Sequence, residues 1–239
     1  MTTDQPTLAV SGLDKTFTMH VQGGQRLAVL HGLDFDVRAG ECVVLGGASG
    51  AGKSSILKMV YGNYAVDRGS VLLRAGNIDI DIAPANPREI LAARRHAMGY
   101  VSQFLRCAPR VPALEVVAEP LIARGVDATE AGERAAELLS RLGIPDRLWG
   151  LPPATFSGGE QQRVNVAHGF IADLPMLLLD EPTASLDARN RRVVVELIAE
   201  KIEAGTAMLG VFHDAEVREA VADRVVPVED FTPMGKVAA

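Results

Sequence analysis

The clearest chemical pattern in the chain lies at residues 47–54, which read Gly-Ala-Ser-Gly-Ala-Gly-Lys-Ser. This order fits Gly-x-x-x-x-Gly-Lys-[Ser/Thr], in which glycines let backbone N–H groups approach the phosphates of a nucleoside triphosphate. Lys53 is predicted to reach the β- and γ-phosphates, and the Ser54 hydroxyl to ligate Mg²⁺. A chance glycine-rich turn is the alternative, which the apolar run before the loop and the helical pattern after it disfavour. The predicted nucleotide-binding residues are Gly47, Ala48, Ser49, Gly50, Ala51, Gly52, Lys53, Ser54 and Ser55.

Two adjacent carboxylates form a second candidate site. Asp180 and Glu181 follow the apolar run at 176–179, which predicts a buried strand that ends in acidic side chains. Asp180 would hold Mg²⁺ beside the phosphate loop, and Glu181 would act as general base toward the attacking water. A surface Asp-Glu-Pro turn is the alternative, which the phosphate loop upstream disfavours.

A third pattern lies at residues 157–163, Ser-Gly-Gly-Glu-Gln-Gln-Arg. Ser157 and Glu160 fit a capping box at the start of a helix predicted over 161–172. A helix N-terminus also attracts phosphate, because its free N–H groups carry a positive partial charge. Helix capping and phosphate binding are therefore compatible predictions for this segment.

Residues 156–163 also resemble the signature motif of ATP-binding-cassette (ABC) ATPases, with Phe at its start and Glu160 where Gln is common. Further segments stand in the order of that family, and the resemblance covers essentially the whole chain. An ordinary edge-strand Phe is the alternative for Phe17, and a strand-end histidine with local partners is the alternative for His213. The resemblance implies a Q-loop glutamine at Gln103, a D-loop at Ser185, Leu186 and Asp187, a switch histidine at His213 and an adenine-stacking ring at Phe17.

The resemblance also implies an ATPase that uses ATP and Mg²⁺ and is active as a head-to-tail dimer. In the family, the signature of one subunit caps the γ-phosphate that the phosphate loop of the other subunit holds. The second ABC subunit is either an identical copy or a related one. The implied roles are catalytic for Glu181, His213 and Gln103, metal-binding for Ser54, Gln103 and Asp180, and signature contacts in trans for Ser157, Gly158, Gly159 and Glu160.

The elements that would position these residues predict an α/β fold. We expect a P-loop NTPase (RecA-like) core with an N-terminal antiparallel β-subdomain and an inserted helical subdomain, as in ABC ATPases. One ABC ATPase domain would span 1–239, with the nucleotide-binding core at 1–87 and 158–239 and the helical subdomain at 88–157. Strands are predicted at 8–10, 27–30 after a turn at 22–25, 34–37, 41–45, 176–179 and 207–212, with one ending at the Q-loop; helices are predicted at 53–61, 88–96, 114–124, 129–142, 161–172 and 190–203.

Bulk composition narrows the class of protein. The net charge of −6 disfavours a nucleic-acid binder, which normally presents a basic surface to phosphates. The first twenty residues contain no signal-peptide pattern, and no run approaches 18 apolar residues. We therefore expect a cytoplasmic protein with no direct membrane insertion and no nucleic-acid partner.

Three kinds of ABC protein differ in what the ATP cycle drives. Residues 100–106, 109–117 and 146–149 resemble the PhnL family, the ABC proteins of the bacterial carbon–phosphorus lyase pathway. That resemblance runs from residue 17 to 225 and implies work in phosphonate metabolism with the other carbon–phosphorus lyase subunits. His168 departs from it, since Arg is expected there, as does the longer segment after Val226.

A nucleotide-binding subunit of an ABC membrane transporter is the alternative function. In that case a membrane permease is the partner, and residues 114–118 resemble the coupling region that faces it. A repair or chromosome ATPase is excluded, because it needs a long coiled-coil insert and the insert at 88–157 is too short.

Overall fold

The computed structural model describes residues 5–19 and 25–232. Two sheets and a helical layer form one α/β unit, which is the ABC ATPase fold that the sequence predicts. The strands within these residues are β1 (Leu8–Met19), β2 (Gln25–Val37), β3 (Cys42–Gly46), β4 (Arg68–Ala75), β5 (Ile78–Asp81), β6 (Met98–Val101), β7 (Met176–Asp180), β8 (Ala207–Val211) and β9 (Arg224–Pro227). The helices are α1 (Lys53–Val60), α2 (Pro87–His96), α3 (Ala113–Ile122), α4 (Ala128–Arg141), α5 (Asp146–Trp149), α6 (Gly158–Phe170), α7 (Ala188–Glu203) and α8 (Ala215–Val221).

The central sheet contains five parallel strands in the order β6-β7-β8-β3-β9. Strands β3, β7 and β8 read as apolar runs because both faces of the sheet are covered there. Cys42 and Val44 on one face of β3 join a core with α3, α4, α6 and α7, while Val43 and Leu45 on the other face join a core with α1 and the second sheet. Two hydrophobic cores thus hold the central sheet between them.

The second sheet is antiparallel in the order β2-β1-β4-β5. The strands predicted separately at 27–30 and 34–37 are one strand, β2, and β1 extends well beyond the predicted 8–10. Register shifts in the β1–β2 pairing keep the strands continuous across this irregular region. The Asp14 carboxylate accepts a hydrogen bond from the Gly32 N–H (2.7 Å), which links the two strands there. Residues 22–24 of the predicted turn lie outside the described residues.

The helical layer differs in extent from the predicted insert at 88–157. Strand β6 falls inside that range, yet it pairs with β7 as part of the central sheet. Helix α6 falls in the predicted core segment, yet it packs against α3 and α4 as well as β6. Gly169 of α6 makes this close approach possible, because a Cβ there would lie 2.3 Å from Val101 Cγ2. The predicted helix over 161–172 begins earlier, at Gly158, and ends at Phe170.

Candidate functional site

Three neighbouring strands of the central sheet end at the same edge. The phosphate loop (residues 47–54) follows β3, Asp180 ends β7, and His213 comes two residues after β8. Because β7, β8 and β3 are adjacent and parallel, their carboxyl ends bring these residues to one place. The sheet order therefore explains why residues far apart in sequence form one site.

The phosphate loop leads directly into α1. Gly52 precedes the first helical residue with a φ of 100°, and a Cβ there would lie 2.8 Å from Val29 Cγ1. Only glycine meets both conditions, since L side chains rarely adopt such a φ. The first turn of α1 contains no acidic residue, so no carboxylate in that turn reduces the positive potential that the helix dipole presents to the loop.

Lys53 is buried and points back into the phosphate loop. Its Nζ donates hydrogen bonds to the carbonyl oxygens of Gly47 (2.6 Å) and Ala48 (2.8 Å). Burial lowers the pKa of Lys53, and the nearby carboxylates of Glu181 and Glu229 oppose that shift. The lysine is thus held at the centre of the loop, where a phosphate group would compete with two neutral carbonyls for its charge.

Asp180 is 2% exposed, and each of its carboxylate oxygens accepts a hydrogen bond. The Ser54 hydroxyl donates to Oδ1 (2.9 Å) and the Tyr100 hydroxyl donates to Oδ2 (3.0 Å). Burial and the adjacent Asp180 carboxylate raise the pKa of Tyr100. The tyrosine is therefore a neutral donor toward the carboxylate.

Glu181 lies in a tight turn with a positive φ of 56°. Its N–H donates to the carbonyl of Val211 (3.0 Å), and its own carbonyl accepts from the N–H of Ala184 (3.1 Å). Its Oε1 lies 2.8 Å from His213 Nε2. This contact joins the predicted general base to the predicted switch histidine.

These groups surround one cavity of about 260 Å³. Its walls combine a lysine and a helix N-terminus with a carboxylate and a histidine, a set that suits a phosphate group with a water molecule beside it. Val29 was not predicted from the sequence, and no motif marks it. The lining residues are Val29, Ser49, Gly50, Gly52, Lys53, Ser54, Ser55, Glu181 and His213.

Gln103 and Phe17 are two of the predicted site residues that do not line this cavity. Gln103 is exposed and lines a neighbouring cavity of about 720 Å³, together with Asp180 and Tyr100. Phe17 packs edge-on against the Tyr64 ring with centroids 5.5 Å apart, and neither residue is among those lining the phosphate cavity. The Q-loop and adenine-stacking roles of Gln103 and Phe17 therefore stay predictions.

The signature residues form the N-terminus of α6 and carry the predicted capping box. Glu160 Oε2 accepts from the Ser157 N–H (2.8 Å) and from the Ser157 hydroxyl (2.6 Å). These hydrogen bonds, that of the hydroxyl first, lower the pKa of Glu160. Ser157 and Gly158 are exposed, and the four signature residues do not line the phosphate cavity described for their own chain.

The D-loop connects β7 with α7. Asp187 is the N-cap of α7, and its Oδ1 accepts from the Asn190 N–H (2.8 Å). Ser185 has a positive φ of 63°, and its carbonyl oxygen lies close to Gly159, where a Cβ would be 3.1 Å away. Leu186 is buried in the core beneath. The D-loop and the signature thus touch within one chain.

Three contacts near the site were not predicted from the sequence. Glu229 Oε1 accepts from the Ala48 N–H (2.6 Å), and Gln162 Nε2 donates to the carbonyl of Pro182 (3.0 Å). Asn165 Nδ2 donates to the carbonyl of Ser102 in the Q-loop. The contacts of Gln162 and Asn165 could have been anticipated from the helix predicted over 161–172, because a polar side chain on the core face of a helix needs a partner.

The oxygen-donor groups at this edge fit Mg²⁺. The Ser54 hydroxyl and the Asp180 carboxylate lie side by side, and hard oxygen donors of this kind suit that ion. Within residues 5–19 and 25–232, no group of three or more His, Cys, Asp and Glu side chains could hold a metal by itself.

Comparisons with known proteins identify relatives that share the sequence and the fold of this chain. LolD of Alcanivorax borkumensis, a lipoprotein-releasing system ATP-binding protein, is 38% identical over 217 residues, which cover 90% of this chain and 92% of LolD. MacB of Nitrosomonas europaea, a macrolide export ATP-binding/permease protein, is 37% identical over 227 residues, which cover 94% of this chain and 33% of MacB. The dimeric structure of a post-hydrolysis state of the ATP-binding cassette MJ0796, bound to ADP and Pi, matches with a TM-score of 0.83 at 27% identity and covers 93% of this chain and 95% of that one.

The ABC transporter family model matches residues 30–184, which contain the phosphate loop, the Q-loop, the signature and both carboxylates. Family match, relatives and fold lead to one assignment: the chain belongs to the ABC transporter family and contains its ATPase domain.

Proposed function

We propose that this chain is the ATP-hydrolysing subunit of an ABC transporter and acts with a membrane permease on the cytoplasmic side of the membrane. The observation that carries the ATPase assignment is the single cavity that Lys53, Ser54, Glu181 and His213 line together. A phosphate-binding loop without the carboxylate and the histidine would bind a nucleotide but would lack a base to activate water.

The phosphate loop would bind the β- and γ-phosphates of ATP. Lys53 would exchange its two carbonyl partners for phosphate oxygens, which are stronger acceptors for an ammonium group. Ser54, Gln103 and Asp180 would hold Mg²⁺, which neutralises phosphate charge when it is bound. Phe17 would stack on the adenine ring.

Glu181 would accept the proton of the attacking water. Its contact with His213 orients the carboxylate, and the hydrogen bonds of its turn fix the backbone from which the side chain projects. General bases contribute about 10²–10⁴-fold to rates of this kind when they are held in position. His213 itself would contact the γ-phosphate.

The exposed signature supports a head-to-tail dimer. Ser157 and Gly158 lie at a helix N-terminus that offers N–H donors to an anion, yet they do not line the cavity described for their own chain. A second ABC subunit would bring its signature to this chain's phosphate cavity. The MJ0796 cassette is dimeric in its post-hydrolysis state bound to ADP and Pi.

One face of the chain supports a protein partner. The cavity near Gln103 and a second cavity of about 770 Å³ share Tyr61, Tyr100 and His168 and therefore form one groove. Two large apolar side chains in its lining are exposed, Leu91 at 62% and Phe104 at 73%. The predicted coupling residues 114–118 lie in α3 and are mostly buried, whereas Leu91 and Phe104 are exposed to a partner.

The relatives favour a membrane permease as the partner. LolD and MacB are named for lipoprotein release and macrolide export, which favours the transporter over the phosphonate pathway. A role with the carbon–phosphorus lyase subunits has no support from these relatives. The experiment below distinguishes that role from work with a permease.

The test captures the partner of the tagged full chain from detergent-solubilised membranes and cytosol of the organism that encodes it. We expect mass spectrometry to identify a polytopic membrane protein. The combined change Leu91→Ser and Phe104→Ser should abolish capture. Leu151→Ser is the matched control, because Leu151 is 46% exposed and does not line the groove.

Capture of soluble phosphonate-pathway subunits would support the carbon–phosphorus lyase alternative and contradict the transporter. Equal capture by the groove variant and the control would refute the groove as the partner surface.

A further inference from the structure

The Asp180 carboxylate is held from two sides by donors of different origin. The Ser54 hydroxyl comes from the phosphate loop, while the Tyr100 hydroxyl comes from β6, the strand next to Asp180 in the sheet. Ser54 belongs to the predicted metal site, whereas the sequence analysis assigns no role to the Tyr100 hydroxyl. A donor to a buried carboxylate fixes which oxygen turns toward its other partner.

Tyr100 is itself prevented from moving. Its ring packs against the Tyr61 ring with centroids 4.9 Å apart and an angle of 40° between the planes. Arg94 lies over the Tyr61 ring at 4.2 Å from the centroid, and its Nε and Nη2 donate to the Tyr61 carbonyl. The hydroxyl that reaches Asp180 therefore projects from a ring that its neighbours hold in one orientation.

We propose that Tyr100 is a positioning residue for Asp180, and that its hydroxyl orients this carboxylate for binding of the Mg²⁺ that accompanies ATP. The inference rests on the proposed function, because it requires that the chain binds Mg²⁺ with ATP. Tyr100 acts through Asp180 and touches neither nucleotide nor metal. Loss of a donor of this kind typically reduces metal affinity about 10–100-fold.

Tyr100→Phe separates positioning from packing. The substitution keeps the ring against Tyr61 and removes only the hydroxyl, so Asp180 Oδ2 loses its donor while the aromatic contact persists. Tyr61→Phe is the matched control, since it makes the same chemical change in the adjacent ring, which does not donate to Asp180.

The measurement is the dissociation constant of adenylyl imidodiphosphate, a non-hydrolysable ATP analogue, by calorimetry with Mg²⁺ and with excess EDTA. The ratio of the two constants reports what the metal adds to binding. For Tyr100→Phe we expect this ratio to fall about 10-fold relative to the wild type, with binding in EDTA unchanged. Tyr61→Phe should keep the wild-type ratio.

The outcomes separate the two proposals. A wild-type ratio in Tyr100→Phe overturns the positioning role, and so does an equal loss of affinity with and without Mg²⁺, which would indicate packing alone. If the wild type itself binds no analogue, or binds it equally with and without Mg²⁺, the proposed function fails instead. Thermal melting of each variant verifies that it is folded.

Discussion

At the scale of single residues, Glu181 combines a strained backbone with a chemical role. A non-glycine residue with a φ of 56° costs about 1–3 kcal/mol and persists only where its surroundings hold it. Here the Val211 carbonyl, the Ala184 N–H and the Gln162 amide all bond the Glu181 backbone. The strained turn therefore has a structural cause, and it points the carboxylate into the phosphate cavity.

Glu181→Gln should lower phosphate release from ATP by about 10²–10⁴-fold, because the base is lost while the binding groups remain. The amide keeps the shape of the side chain, so the variant should bind ATP and accumulate as a closed dimer. Phosphate release and size-exclusion chromatography with ATP measure both effects. Wild-type turnover in the variant would remove Glu181 from the role of base.

The sequence predicts residues of this kind when a local pattern carries the chemistry. The phosphate loop, Asp180 and Glu181 occupy contiguous motifs, so their roles follow from type and spacing alone. Tyr100 and Glu229 could not be predicted, because their partners Asp180 and Ala48 lie 80 and 181 positions away in sequence. Only the strand order of the central sheet brings Tyr100 beside Asp180.

At the scale of elements, acidic side chains cap three helices. Asp127, Asp187 and Asp214 precede α4, α7 and α8 and accept hydrogen bonds from backbone N–H groups of the first turns. For each, these N–H donors are the largest cause of a lowered pKa. The free N–H groups of a helix N-terminus favour the ionised carboxylate, so the caps contribute more to stability when they are charged.

Asp127→Asn tests this contribution through its pH dependence. The pKa of Asp127 in the folded chain lies below the usual 3.8, so the folded state binds fewer protons than the unfolded state in this range. The stabilisation is present above 3.8 and is lost as the pH falls through the lower, folded value. Urea unfolding between about pH 5 and pH 3 should show a steeper loss for the wild type than for Asp127→Asn.

Asn keeps the cap as a neutral acceptor, so Asp127→Ala is the control that loses it at every pH. Identical pH slopes for the wild type and Asp127→Asn would show that the charge of this cap does not contribute.

The positions of strands were predictable where the sequence contains a continuous apolar run. The runs at 41–45, 176–179 and 207–212 correspond to β3, β7 and β8, because strands buried on both faces read as continuous apolar segments. Strands β4, β5 and β9 were not predicted, since they are short or partly exposed and lack such a run. The place of β6 in the central sheet could not be predicted for another reason, because it depends on pairing with β7, which is distant in sequence.

At the scale of the whole molecule, the proposed dimer would divide each site between two chains. The phosphate cavity of one chain contains Lys53 and Glu181, the proposed base, while its exposed signature would serve another chain's nucleotide. Electrostatic stabilisation of the γ-phosphate is strong only where water is excluded. A single chain is therefore expected to be a poor catalyst.

Mixing two inactive variants tests this arrangement. Lys53→Ala should abolish nucleotide binding at its own phosphate loop, and Ser157→Arg should block the signature that faces the partner. Each variant should be inactive alone. A dimer of one Lys53→Ala chain and one Ser157→Arg chain regains one intact site, so random exchange of subunits restores about a quarter of all sites. ATPase activity of the mixture measures the recovery, with Ser140→Arg as the matched control for the arginine, because Ser140 is exposed near the end of α4.

No recovery from two folded, dimerising variants would favour a different ABC subunit as the obligatory partner. Full activity of Ser157→Arg alone would contradict a signature that acts in trans.

Helix α6 has a consequence for cooperativity between two bound nucleotides. Its N-terminus carries the signature, while its Gln162 bonds the backbone of the Glu181–Pro182 turn and its Asn165 bonds the Q-loop of the same chain. In a head-to-tail dimer, the signature end of α6 would contact the nucleotide bound by the partner chain, while α6 is hydrogen-bonded to the turn that holds Glu181 of its own chain. A shift of α6 on binding of the partner's γ-phosphate would move Glu181, so ATP hydrolysis at the two sites would be coupled.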